Sequence, residues 1–407
     1  AALPGARFLP ALRRGNVRGA LELGMAPGLL PGRLTLDAGR DWFAAGWGSV
    51  PDRRGLGTTG ILRSLADAAG VRALVTIGAD VVGDFPDRQL AARALDAADF
   101  VVAVTGHPSA TAERADVVLP VAVEHERVGT TTNAEGRVSR LGQKLVPPGL
   151  AWADWSIAAE LAVELGGDLG FSGPREIWDE IERLAPAFAG CTTRVLESPA
   201  GHDGVLLPYD PSAPALGLRP TDPMATPGVE SVERQGAPPR VGRSPFSAGP
   251  VASPNGSTGP VAALPQGGGD GPARPAAGAG LAAATDGAPA PHVGPADSYS
   301  LRLVSRRRLY DGGSAVAHSP SLLSLVPAAE ARANPRDLDR LGAATGDLVR
   351  LRSSRGEVEV AARADTGVPT GVVVVDFNLP AADGTFAAGI LIDAGGPVVE
   401  VRMESVR

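Results

Sequence analysis

The sequence predicts an α/β fold, with a parallel-sheet, Rossmann-like domain followed by a small C-terminal β-barrel. Three observations predict it. First, two apolar runs, ALVTIG (73–78) and DFVVAVTG (99–106), flank a stretch of helical periodicity, and a third run, DVVLPVA (116–122), comes soon after. Strand, helix, strand at this spacing means parallel pairing through right-handed crossovers. Second, beyond residue 299 short alternating strands with many turn glycines take over, and LVRLRSS-RG-EVEVAAR (348–363) reads as a hairpin about an Arg-Gly turn. Third, residues 208–298 are rich in Pro, Gly and Ala with few large apolar side chains, too few to offset the entropy of ordering. The chain therefore divides into an α/β domain (1–207), a disordered linker (208–298) and a barrel domain (299–407).

Taken in order, GLGTTG (55–60) fits a dinucleotide-binding glycine pattern, but SVPDRR before it is no strand. The glycines of such a site must turn the chain out of a strand into a helix, so the segment reads as a glycine-rich turn before a helix. A free-standing nucleotide-binding module built on that turn is a rival reading. After the first strand, Leu90, Ala94, Leu95 and Ala98 mark one helical face. The carboxyl ends of the three strands fall at Gly78-Ala79-Asp80, Thr105-Gly106-His107 and Pro120. Open α/β sheets bind ligands along that edge.

GTTTNAEGRV (129–138) follows the third strand, as a loop at the same edge would. It offers three hydroxyls, an amide, a carboxylate and a guanidinium. Such a loop is suited to a polar ligand, or equally to pinning itself through Asn133, Glu135 and Arg137. Glu124, Glu126 and Glu135 read as surface charge rather than acid–base catalysts. A helix over 152–167 is predicted to bury Trp155, Ala158, Ala159, Ala162 and Leu165, and another runs from Pro174 to Leu184. In the C-terminal part, Asn334 and Pro335 announce the one helix between strands, and 372–377 and 398–406 are further strands.

Composition excludes several classes. A net charge of -7 argues against a nucleic-acid surface. The single cysteine, Cys191, excludes an intrachain disulfide and an iron–sulfur cluster, which takes about four thiolates. Five histidines include no i, i+4 pair for zinc, so neither metal ligands nor catalytic residues are assigned. No apolar run approaches the ~18–20 residues of a membrane span. The opening AALPGARFLP lacks the features of a signal peptide and reads as the interior of a longer chain, so a soluble, cytoplasmic protein is expected.

ADVVLPVAVEHERVGTTTNAEGRVSR (115–140), with the W-x-I…LA…LG tail to 166, resembles the molybdopterin oxidoreductase family. The Gly78–Asp80 turn resembles that family's G-A-[N/D] element, with Val81 where proline is common. NPRDLDRLGAATGDLVRLRSSRGEVEVAARADTGVPTGVVVV (334–375) is similar to its dinucleotide-binding barrel, which implies a double-psi type. Within the family, GMAPGLLPGR (24–33), EGRVSR and LYDGGSAVAHSPSLLSLVP (309–327) look most like the G-type branch found in bacterial NADH-quinone oxidoreductases.

That resemblance implies a part of the peripheral arm of a respiratory complex passing electrons from NADH to quinone with proton translocation. The partners implied are the neighbouring arm subunits, with no nucleic acid and no direct membrane insertion. Placement is then peripheral on the inner face of the cell membrane. Iron–sulfur clusters would belong to an upstream part, and a molybdopterin guanine dinucleotide is a family option. Gly78, Asp80, Thr130, Asn133, Glu135 and Arg137 are the expected cofactor-facing positions, as remnants in a structural segment without chemistry of its own. The alternative is a fragment of a catalytic molybdenum enzyme such as formate dehydrogenase or nitrate reductase.

Overall fold

Strands at 73–77, 100–105 and 117–120 pair as the sequence predicts. A computed structural model describes residues 15–208, 300–395 and 398–406, with 273 and 275 besides, so nearly all of the expected linker lies outside the described residues. The described residues begin with α1 (Val17–Glu22), the short β1 (Leu29–Leu30) and β2 (Leu34–Thr35), and α2 (Leu36–Trp47). Leu30, Leu34, Leu36 and Phe43 close on Leu184 there. The carboxylate of the buried Glu22 is gripped by both Arg18 and Arg33.

The glycine-rich turn then opens α3 (Thr58–Ala66), with Gly57 as its cap and no strand before it. Next come β3 (Ala73–Ile77), α4 (Val81–Asp84), α5 (Arg88–Asp96), β4 (Phe100–Thr105) and β5 (Val117–Pro120). The three strands form a parallel sheet in the order β3-β4-β5, with Val75, Val102 and Val117 in register. One face is covered by Leu62, Leu65, Leu90, Ala94 and Leu95 of α3 and α5, packed on Leu74 and Val101.

The structure corrects three expectations, the first being the single helix expected in the C-terminal part, where four short helices lie between the described strands. The segment 129–138 is not a loop at the sheet's carboxyl edge. It belongs to a hairpin of β6 (Gly129–Thr132) and β7 (Arg137–Leu141), extended by β8 (Val205–Leu206) into a separate antiparallel sheet. The β-branched threonines favour the strand, and Gly136 at φ +95 makes the turn, with its absent Cβ leaving room for Arg18. The helix predicted over 152–167 is α6 (Asp154–Glu164), and it buries Ile157, with Leu161 half-buried beside Val104 and Val121. Ala158 and Leu165 are instead exposed. The two bulky residues at i, i+4 bury more area than an alanine stripe, and Leu165 lies past the last turn, where Gly166 at φ +85 swings the chain away.

Helix α7 (Pro174–Leu184) and the short α8 (Thr193–Glu197) pack Trp178, Phe188 and Cys191 against Val138 and Val205 of the hairpin sheet. The C-terminal part contains β9 (Leu301–Val304), α9 (Ser314–Ala317), α10 (Pro320–Leu323), β10 (Glu330–Ala333), α11 (Pro335–Leu341), β11 (Leu348–Arg352), β12 (Glu357–Ala364), β13 (Val372–Val375), α12 (Ala387–Leu391) and β14 (Val399–Ser405). Its strands close into a barrel, β10-β12-β11-β14-β9-β13. Only β10/β12 and β9/β13 pair in parallel. Exchanging the first three strands with the last three leaves every pairing unchanged, the internal symmetry of a double-psi barrel. Alternate residues enter the core, among them Ala331, Val349, Leu351, Val360, Val373 and Met403. Asn334 caps α11 by accepting from the Arg336 N–H, Pro335 follows, and Gly342 in the left-handed region ends the helix.

Candidate functional site

The carboxyl edge of the parallel sheet is built from the turns after β3 and β4. Gly78 adopts φ +63, and its N–H donates to Val104 O at 2.8 Å, the last rung between the strands. Asp80 then caps α4, accepting from the Gly83 N–H at 3.0 Å. Its same oxygen accepts from the Thr111 N–H at 3.1 Å and hydroxyl at 2.7 Å. The buried Thr111 hydroxyl oxygen in turn accepts from the Val82 N–H at 3.0 Å. A carboxylate that accepts several donors at a helix start is well stabilised. Here it ties the two turns together.

Beside this edge, arginines from both regions join α4 and α5 to the barrel. Arg307 donates to Asp84 at 2.7 Å and, through two nitrogens, to Asp311 at 2.9 and 3.1 Å. Arg88 lies over the Phe386 ring at 4.2 Å and donates to Gly83 O and to Asn378 Oδ1. Arg355 donates to Asp87, which is fully buried, at 2.6 Å, and to Asp393 at 3.2 Å. His318 meets Pro108 O at 2.7 Å, and its ring stacks on His107 with centroids 5.3 Å apart. Burial lowers the Arg88 pKa, with Asp80 and Asp84 opposing it. Burial also works to lower that of Arg307, but hydrogen bonds to Asp311 and Asp84 outweigh it and the net shift is upward.

Beside this junction lies an open cleft of about 470 Å³ lined by Arg306, Arg307, Arg308, Leu309, Tyr310, Leu325 and Pro327. Asp376, only 3% exposed, sits beneath it and draws in Arg306 at 3.0 Å, Arg308 at 3.6 Å and Arg332 at 3.0 Å.

Of the six expected positions, only Gly78 and Asp80 come together at the sheet edge. Thr130 lies in the hairpin strand opposite Arg140. Asn133 Oδ1 accepts from the Arg137 N–H at 2.9 Å, and Arg137 donates to Glu135 at 3.2 Å and to Gly204 O at 3.1 Å. These polar groups bond within their own turn and its neighbour. No group of three or more metal-ligating side chains occurs among the described residues. The thiol of buried Cys191 is pushed up to about 12 by burial and then by Glu182, so it is inert as a nucleophile. The junction residues Asp84, Asp87, Arg88, Arg307 and Arg355 escaped sequence reasoning. The run Arg306-Arg307-Arg308 just after a strand was the one local signal of them.

Residues 55–164 match the molybdopterin oxidoreductase family, and residues 301–400 match the molybdopterin dinucleotide binding domain. The G-type subunit of NADH-quinone oxidoreductase from Streptomyces coelicolor is 40% identical over 191 residues, covering 45% of this chain and 22% of the relative. A second such subunit, from Rhizobium meliloti, is 27% identical over 378 residues, covering 92% of this chain and 35% of the relative. A putative formate dehydrogenase from Bacillus subtilis is 36% identical over 197 residues, covering 48% of this chain and 20% of the relative. The chain thus spans about a fifth to a third of the length of these relatives.

Proposed function

From two domains of the molybdopterin oxidoreductase family in one chain, we propose a structural segment of the G-type subunit of an NADH-quinone oxidoreductase. The whole enzyme moves electrons from NADH to quinone and couples this to proton translocation. This segment frames the peripheral arm and contacts its neighbouring subunits, on the inner face of the cell membrane. No helix among the described residues is long and apolar enough to cross a membrane. Iron–sulfur clusters would belong to other parts of the enzyme.

The observation that supports a structural role is the barrel's hold on α4 and α5, the two helices that follow β3. Beside the edge where an open α/β sheet would present a ligand site, Arg307 and Arg88 fasten α4 and α5 to the barrel and its flanking segments, and His318 meets the turn after β4. Asp80, Asn133, Glu135 and Arg137 hold internal partners, which does not suit them to a pterin. We therefore assign Gly78, Asp80, Thr130, Asn133, Glu135 and Arg137 to the frame. Purification of the respiratory complex by way of a tag on this chain tests the reading. NADH:quinone reductase activity and the other arm subunits should co-elute, without molybdenum. A tagged chain that elutes alone would discard it.

The arginine cleft favours a second reading, a fragment of a catalytic molybdopterin enzyme of the formate dehydrogenase kind. Arg306, Arg308 and Tyr310 would hold the phosphates of a dinucleotide there, and the bound group would supply the redox centre. Molybdenum at one equivalent per chain, with formate oxidation, would favour it.

A further inference from the structure

The arginine cleft has two unlike halves. On one side Arg306 and Arg308 stand 57% and 45% exposed, while the carboxylate that answers them, Asp376, is buried and shared with Arg332. The charge that reaches solvent there is cationic, in a chain whose net charge is -7. On the other side Leu309 is 84% exposed and Leu325 50%, with Pro327 completing the wall. Leu323, also exposed, continues the apolar surface along α10. Arg306 and Arg308 would suit a phosphate, but the leucine wall has no donor to offer one. Exposed leucines beside arginines instead describe the anatomy of a protein interface, in which apolar area gives affinity and charge gives orientation.

We propose that this cleft docks an acidic, leucine-bearing segment of a neighbouring polypeptide, with carboxylates against Arg306 and Arg308 and apolar side chains against Leu309 and Leu325. The proposal rests on the structural-subunit reading and names the chemistry of one of its contacts. Charge complementarity selects the occupant. The single carboxylate of Asp376 faces three guanidiniums, so a basic or neutral apolar segment would leave their surplus positive charge uncompensated, and a purely acidic one would leave the leucines bare.

The test uses the 407-residue chain and a fluorescein-labelled octapeptide of alternating Glu and Leu, with a Glu/Ser peptide of the same charge and GDP as comparators. The Glu/Leu peptide should bind about tenfold more tightly than the Glu/Ser one, a difference of about 1.4 kcal/mol. About 1 M salt, with a screening length of roughly 3 Å, should weaken it about tenfold. Arg308→Ala should weaken both peptides. Leu309→Ser, at a position exposed enough to leave folding untouched, should erase the preference for leucine. Equal binding of the two peptides, insensitivity to both substitutions, or displacement of the peptide by GDP at lower concentration than by unlabelled Glu/Leu peptide would overturn the proposal. The last result would mark a nucleotide site. Peptide binding by a chain that fails to co-elute with reductase activity would remove the respiratory assignment alone.

Discussion

The barrel and the α/β region bury their sheets in different ways. In the barrel every strand has two neighbours, and Ala331, Val349, Leu351 and Val373 are wholly inaccessible inside one core. In the α/β region burial is divided among separate small clusters. On the sheet face that carries α6, the β3 end is bare, with Val75 and Ile77 each 54% exposed and Phe100 and Val117 exposed on the same side. Parallel sheets are normally covered on both faces. Closure makes one region self-sufficient, whereas the other leans on it through Arg88, Arg307 and Arg355.

The sharpest way to break this comparison is a core deletion in the barrel. Leu351→Ala should cost about 4 kcal/mol, and because the α/β region leans on the barrel both should lose protection from hydrogen exchange together. Next, Arg355→Met strips the buried Asp87 carboxylate of its guanidinium and should cost about 3 kcal/mol. Amides of 88–105 should then exchange sooner while those of 348–364 hold. Simultaneous loss in both regions would refute the asymmetry.

A smaller effect follows from Cys191 in the α/β region. Its folded thiol is pushed up to about 12 from an ordinary 9.0, so the unfolded chain releases the proton first. Stability contributed by the neutral thiol is whole below pH 9 and declines as pH rises toward 12. Urea midpoints should fall over this interval, and Cys191→Ala should flatten the slope. The smallest effect belongs to the bare face. Val75→Thr should change stability by less than about 0.5 kcal/mol, whereas Val349→Thr, in the barrel core, should unfold far more readily in the same melt.

What the sequence made legible was local. The barrel hairpin and the Asn334-Pro335 start could be read because alternation and capping are written within a few residues. The parallel strands were visible as apolar runs. The hairpin at 129–141 was not, since its strand signal, three threonines, is also what a polar loop looks like. The α6 stripe was misjudged because alanines fit any face, and Ile157 with Leu161 decided it. The junction was invisible for a different reason. Arg307 and Asp84 lie 223 residues apart, and no periodicity links them. Of the expected site, Gly78 and Asp80 share one edge, while Thr130 and Arg137 lie in another sheet and Asn133 and Glu135 in the turn of its hairpin.

The Arg355–Asp87 pair spans 268 residues, and that separation sets a clock during synthesis. A ribosome adding about 5–20 residues per second would present Asp87 on the order of 10–50 s before its guanidinium exists. For that interval the emerging α/β region carries an acid destined for a dry site, beside a half-covered apolar sheet. Both stay open to water until the barrel strands that carry Arg355 have been made.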